Sequence, residues 1–189
     1  MANQDSPFGL RAIGKIGQNR DNQGLAEFSI AASAGAIFGQ DPVEALNTGT
    51  IGVAAAGDVL LGALNGVFFT DANTSKPTFA NHLLAGNTAT DIVGFVSSDP
   101  YERFEIQSDN TLASAQTDVF MNYDIAYAAG STHDHLSGVE LDDSTLNSTT
   151  GQLKVVGVSK DIKNNDLTAS HVNFVVMINE HFLKQVAGV

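Results

Sequence analysis

The chain contains no cysteine and no tryptophan, and only 4 of its 189 residues are proline. Without cysteine it can form neither disulfides nor thiolate metal sites, and thiol redox chemistry is excluded. Its core must be built from aliphatic residues and from 11 phenylalanines, each of which contributes about 1.5–3 kcal/mol when fully buried. The length and the 43% of hydrophobic residues predict a single domain with one core.

Basic residues are also scarce: 9 Lys and Arg stand against 21 Asp and Glu, and the formal net charge is −12. Nucleic-acid binding needs clustered Lys and Arg to neutralise phosphates, so direct contact with DNA or RNA is disfavoured. Residues 1–20 nevertheless carry a charge of +2, which leaves −14 on the rest of a chain whose total is −12. This asymmetry favours docking of the N-terminal segment to an acidic protein, although a terminus without any role is an equal alternative.

Long apolar runs are absent as well. The longest one, residues 51–69, is interrupted by Asp58, Asn65 and four glycines, which disfavours a membrane span. The first residues, MANQDSPFGLRAIGK, contain no apolar segment of the kind that a secretory signal requires. We therefore expect a protein that is made in the cytoplasm and has no membrane partner.

The clearest positive signal is a period of two in residues 171–179, where Val172, Phe174, Val176 and Ile178 occupy alternate positions. This pattern predicts a strand with one strongly apolar face. Similar strands are predicted at residues 25–32, 91–97, 101–107 and 152–160.

Two of the predicted strand regions have further features. In residues 101–107, Phe104 and Ile106 alternate with polar residues, which predicts one solvent-facing side. Residues 51–69 predict two strands joined at residues 56–58. Gly62 and Gly66 then mark bulges or places where another backbone comes close.

Many short strands, separated by turn residues about every ten positions, predict an all-β fold. We expect an antiparallel β-sandwich or barrel, jelly-roll-like in form. Residues 1–24 show little periodicity and end in the polar sequence QNRDNQG, so we predict an extended N-terminal arm followed by a single β-rich domain at residues 25–189. Its sheet edges must be covered or paired, which favours assembly with copies of itself or with a partner.

One candidate enzymatic motif is present. His133, His135 and Glu140 have the spacing His-x-His-x4-Glu, which resembles the first metal motif of cupins and would suit a metal-dependent enzyme. The positions of the two cupin glycines hold Tyr127 and Asn147, and no second cupin motif follows. We therefore expect no catalytic residue, no metal and no cofactor, and a cupin-like enzyme is the third alternative.

A carbohydrate-binding β-sandwich is the second alternative. Lectin sites present exposed aromatic rings around a shallow depression, and the chain offers only three tyrosines and no tryptophan to build one.

A set of short segments, taken in order, resembles tailed-bacteriophage capsid decoration proteins, also called cement proteins. The segments are PFGLR at 7–11, GQDPV at 39–43, AAAGD at 54–58, DPY at 99–101, FEIQ at 104–107, NYDI at 122–125, SGVELD at 137–142 and VMINEH at 176–181. The resemblance spans nearly the whole chain. It departs in the last strand, where Phe174 stands in place of the tryptophan expected in such proteins.

The resemblance implies a β-rich structural virion protein without catalytic activity. Such a protein assembles as a trimer, or as a dimer, on the outer surface of an icosahedral head, where it bridges and stabilises major capsid protein subunits. On this basis residues 1–24 are expected to form the capsid-facing arm. Its apolar anchors would be Phe8, Leu10 and Ile13, and its steering charges would be Arg11, Lys15 and Arg20.

Overall fold

The computed structural model of the protein describes residues 3–17, 25–109, 116–147, 149–185 and 188–189. In these ranges the chain forms twelve strands and two short 3₁₀ turns. The strands are β1 (Arg11–Lys15), β2 (Ala26–Ser29), β3 (Pro42–Ala45), β4 (Ile51–Val53), β5 (Leu60–Thr70), β6 (Pro77–Ala80), β7 (Val93–Ser97), β8 (Glu102–Gln107), β9 (Asn122–Ala126), β10 (Glu140–Asn147), β11 (Leu153–Val158) and β12 (Asn173–Ile178). The 3₁₀ turns span Gln116–Asp118 and Phe182–Lys184. None of the helical segments in these ranges has the length and apolar character needed to cross a bilayer.

The strands form two six-stranded antiparallel sheets that pack together. Sheet A has the order β1-β8-β12-β11-β9-β10. Sheet B has the order β2-β7-β5-β3-β4, and β6 pairs with the far end of β5. The prediction of an antiparallel all-β sandwich is confirmed, and the five predicted strand regions correspond to β2, β7, β8, β11 and β12.

Buried apolar side chains form two clusters, where the composition had predicted one core. The first lies on one face of sheet A and includes Phe104, Tyr123 and Phe174. The second lies on sheet B and the loops beside it. Strand β5 belongs to both, since Leu60 enters the first cluster and Leu61 the second. The two clusters therefore share a strand.

Strand β5 also contains two irregularities. The pairing register shifts between Gly62 and Leu60 opposite β3, and again between Leu64 and Gly66 opposite β7. A Cβ on Gly62 would lie 2.3 Å from the carbonyl oxygen of Ser97. The predicted bulges and close backbone approach are thus confirmed. So is the division of residues 51–69 into two strands.

The described part of the predicted arm, residues 3–17, belongs to sheet A. Strand β1 pairs with β8, with Arg11 opposite Glu105 and Lys15 opposite Glu102. Residues 3–17 are therefore held against the body of the domain. Residues 18–24 lie outside the described ranges.

The predicted solvent-facing side of β8 is wrong. Glu105 is 6% exposed and Gln107 is 1% exposed, because the N-terminal segment covers them. The Ser6 N–H donates to Gln107 Oε1 at 2.8 Å, and Gln107 Nε2 donates to the Gln4 carbonyl at 2.9 Å. Arg11 forms an ion pair with Glu105. These partners offset the desolvation of both side chains.

Three of the segments that resemble decoration proteins, at residues 7–11, 39–43 and 137–142, meet at one point. We call it the three-segment junction (Gly9, Gln40 and Ser137). The Gly9 N–H donates to the Val139 carbonyl at 3.2 Å, and the Leu10 N–H donates to the Gln40 carbonyl at 2.9 Å. Gly9 has a left-handed φ of 75°. A Cβ there would lie 2.4 Å from Gln40 O and 2.5 Å from Ser137 Cβ, so the position demands glycine for two reasons.

We predict that Gly9→Ala lowers the free energy of unfolding by about 2–4 kcal/mol, because the substitution adds left-handed backbone strain and a steric clash with the 39–43 and 137–142 segments. Gly49→Ala is the matched control. Gly49 has φ 76°, but a Cβ there would meet nothing within 4 Å. The control should lose only about 1–2 kcal/mol. Urea denaturation measures both, and equal losses would contradict a crowded junction.

Candidate functional site

The two histidines of the cupin-like spacing lie in the loop between β9 and β10. Residues 132–134 form a turn there, and His133 is exposed. His135 adopts a left-handed φ of 60°, and its ring stacks on His82 with centroids 3.7 Å apart. Because residues in a turn lack the alternation of a strand, the two rings do not share the face that the spacing predicted.

Glu140 does not join these histidines. It begins β10, and its carboxylate lies beside Asp5 and His171. Within the described ranges, His133, His135 and Glu140 form no group at metal-ligand spacing, so the geometry does not support the cupin-like alternative.

Instead, the fold assembles what we call the carboxylate–histidine cluster (Asp5, Glu140 and His171). One potential ligand atom from each side chain lies within 4.8 Å of the other two. Asp5 comes from the N-terminal segment, and His171 lies just before β12 with a left-handed φ of 57°. No sequence motif links these three residues, because pairing of the N-terminal segment with sheet A is what brings them together.

The cluster is electrostatically unfavourable for a charged Glu140. Burial, together with the negative charges of Asp5, Asp109 and Asp143, raises the pKa of Glu140 to about 7. Its Oε1 atom is inaccessible to solvent and has no hydrogen-bond partner within the described chain, and the same holds for His171 Nδ1. The closest His171 Nδ1 to Asp5 Oδ1 distance is 3.9 Å, which is too long for a hydrogen bond.

A second feature is a group of aromatic rings on one face of sheet B, which we call the aromatic patch (Phe68, Phe79 and Phe95). The rings of Phe68 and Phe95 are half-buried. The rings of Phe68 and Phe79 are 4.8 Å apart, and those of Phe79 and Phe95 are 6.4 Å apart. The next residues along β5 and β7, Val67 and Val96, enter the second cluster, so the patch lies on the opposite face of the sheet. Phe79 is 74% exposed.

The three apolar residues that were predicted to contact a capsid differ in their exposure to solvent. Leu10, predicted as an apolar anchor, is 1% exposed and packs in the first cluster, where it presents almost no surface to a partner. Phe8 is half-buried beneath the guanidinium of Arg11, which lies 4.4 Å from its ring centroid. Ile13 is 47% exposed, and the neighbouring Ile16 is 56% exposed.

The predicted steering charges are partly paired within the chain. Arg11 pairs with Glu105, and Lys15 Nζ lies 2.9 Å from Asp99 Oδ2. Arg20 lies outside the described ranges. The positive charge of the N-terminal segment is therefore largely neutralised by β8 and by the turn before it.

A shallow cleft of about 250 Å³ lies beside the three-segment junction and is lined in part by Leu10, Gln40 and Leu64. Pockets that hold drug-sized ligands measure about 300–1,000 Å³. The cleft is therefore small for a substrate of that size, and Arg11 is the one charged residue in its described lining.

The tyrosines are not arranged as a sugar-binding platform. Tyr123 is buried, and the exposed Tyr101 lies against Lys184, whose Nζ is 5.2 Å from the ring centroid. Tyr127 is 45% exposed, and no ring contact joins it to another aromatic residue in the described chain. No observed geometry favours the carbohydrate-binding alternative.

Comparison with protein-family models, with curated proteins and with solved structures found no match for this chain.

We predict that Glu140→Gln raises the free energy of unfolding at pH 8 in the presence of a chelator, by on the order of 1–2 kcal/mol. The folded-state pKa of Glu140, about 7, exceeds the ordinary glutamate pKa of 4.5. The charged carboxylate therefore destabilises the fold fully above pH 7, and this penalty disappears as the pH falls through 7 towards 4.5.

The gain from Glu140→Gln should accordingly shrink between pH 8 and pH 4.5. Glu27→Gln is the control, because Glu27 is an exposed carboxylate on β2. Urea denaturation at several pH values measures both variants. A gain that is independent of pH would contradict the electrostatic account.

Proposed function

We propose that this protein is a structural virion protein, a decoration protein that binds the outer surface of an icosahedral phage capsid and bridges major capsid protein subunits. The ordered segments that resemble cement proteins support this proposal. Three of them meet at the three-segment junction and so serve to hold the fold together, which agrees with a role that needs a rigid body and no catalytic group.

The aromatic patch is the observation that carries the proposal. The exposed ring of Phe79, which contacts the half-buried rings of Phe68 and Phe95, is costly to leave in water, and exposed apolar patches on proteins mark interaction sites. The three rings carry no charge, and the exposed Glu27 of β2 lies opposite Phe95 at their border. The rings can therefore pack against apolar groups of a capsid protein.

Strand β1 offers a second contact. It pairs with β8 along one edge, and among the strands of the described ranges it has no further neighbour in sheet A. The register shift between Ala12 and Gly14 interrupts this edge, which discourages indiscriminate strand pairing. Ile13 lies within this region and is the one proposed anchor of β1 that remains well exposed.

A bridging protein needs contacts on separate surfaces, and the two candidates lie on different sheets. Binding two capsid subunits at once makes the second contact intramolecular, which strengthens attachment without any new interaction. Preferential binding to the assembled shell then stabilises it by mass action. We further propose that the protein acts as a homotrimer or a homodimer, without nucleic acid or membrane as partners. Native mass measurement tests the oligomeric state.

We predict that Phe79→Ser weakens binding to shells of the major capsid protein from the same genome by about 10- to 100-fold. This range corresponds to the loss of one buried phenylalanine. Ile13→Ser should weaken binding less, and the double variant should abolish the protection that the protein gives to heated shells. Cosedimentation measures binding, and thermal disruption of the shells measures protection.

Ile162→Ser is the matched control, because Ile162 is 80% exposed and lies outside both surfaces. It should bind and protect as the unchanged chain does. Full binding by the Phe79→Ser plus Ile13→Ser variant would contradict the proposed surfaces. A source genome that encodes no major capsid protein would contradict the proposed function itself.

A further inference from the structure

The carboxylate–histidine cluster joins three parts of the chain that are far apart in sequence. Asp5 lies in the N-terminal segment, Glu140 starts β10, and His171 precedes β12. The cluster contains two carboxylates and one imidazole, and a ligand atom of each lies within 4.8 Å of the other two. We propose that these three side chains bind one first-row divalent cation, of which Zn²⁺ is the best match. This inference is independent of the proposed function.

The state of two atoms of these side chains supports the proposal. Glu140 Oε1 and His171 Nδ1 are both inaccessible to solvent, and neither has a hydrogen-bond partner in the described chain. Buried polar atoms in folded proteins nearly always have a partner, because leaving one without a partner costs about 1–3 kcal/mol. A cation between the two atoms would satisfy both of them at once.

The surrounding charge also favours a cation. Asp109 and Asp143 add to the negative charge that Asp5 and Glu140 bring to the cluster. No Lys or Arg ion pair is formed by Asp5 or Glu140 in the described chain. A bound divalent ion would offset this repulsion directly.

The chemistry of the three ligands, two carboxylates and one imidazole, indicates which metal they would bind. Calcium and magnesium prefer oxygen ligands alone, whereas an imidazole nitrogen favours zinc and its first-row neighbours. Three protein ligands leave a fourth tetrahedral position for water. Asp5 is mostly exposed, so water can approach from its side.

The proposed metal would act as a clasp for the N-terminal segment. On either side of Asp5, the Gln4 carbonyl accepts from Asn164 Nδ2 at 2.8 Å and the Ser6 N–H donates to Gln107 Oε1 at 2.8 Å. The His171 carbonyl also accepts from Asn164 Nδ2, at 2.7 Å. A metal bond between Asp5 and His171 would close this hydrogen-bonded arrangement and hold the segment against the sheet.

The test is a titration of the full chain, produced without an affinity tag and freed of metal by a chelator, with ZnCl₂. Calorimetry should give one Zn²⁺ per chain, and the melting temperature should rise with Zn²⁺ concentration. Hydrogen exchange of the Ser6 amide should slow when Zn²⁺ is added. CaCl₂ at the same concentrations should have little effect on the calorimetric signal, the melting temperature or the exchange of the Ser6 amide.

Two ligand variants identify the site. Glu140→Gln and His171→Asn should each lower Zn²⁺ affinity by at least about tenfold. Asparagine suits position 171 because it tolerates the left-handed backbone. The matched controls are Glu27→Gln and His133→Asn, both at exposed positions outside the cluster, and they should bind Zn²⁺ unchanged. If either ligand variant fails to fold, Asp5→Asn in the exposed segment replaces it.

Three results would overturn the proposal. The first is no Zn²⁺ binding by the unchanged chain beyond that of the Glu140→Gln variant. The second is binding that His133→Asn removes and His171→Asn does not, which would assign the metal to the loop histidine. The third is tight binding of Ca²⁺ that is insensitive to His171→Asn, because imidazole would then not be a ligand.

Discussion

The close packing of Gly9 against Gln40 and Ser137 is the constraint on which the rest of the structure depends. It joins the chain just before β1 to the turn before β3 and to the loop before β10, and so connects the edge of sheet A with sheet B. Because a side chain on Gly9 would overlap both partners, the segments can approach only if this residue has none. The conformation of the N-terminal segment follows from this contact, since Leu10 is then directed into the first cluster.

Once the N-terminal segment lies along β8, it determines the polar chemistry of that side of the protein. It buries Glu105 and Gln107 and supplies their partners, and it carries Asp5 to Glu140. Charges that a free arm would offer to an external partner are largely used inside the chain. The segment thus stabilises the sheet, and it leaves Ile13 and Ile16 as its exposed large apolar residues.

What remains for interaction is consistent with a structural protein. The aromatic patch and the edge of β1 provide apolar surface on different sheets, and the cleft beside the junction is small. Phe79 contributes the most exposed ring of the patch, and its neighbours hold it in place through ring contacts. A rigid body with separate contact surfaces suits attachment to a repeating lattice, where several weak contacts act together.

The sequence alone determined the all-β class and most strand positions, because alternation with a period of two and turn residues are local signals. The glycines at positions 62 and 66 also indicated where β5 would contain bulges. Only the tertiary structure decided that Leu10 is buried, that β8 is covered on both sides, and that Glu140 meets His171 instead of His133. These outcomes depend on contacts between distant segments, and the spacing of residues along one strand contains no information about which segment will cover it.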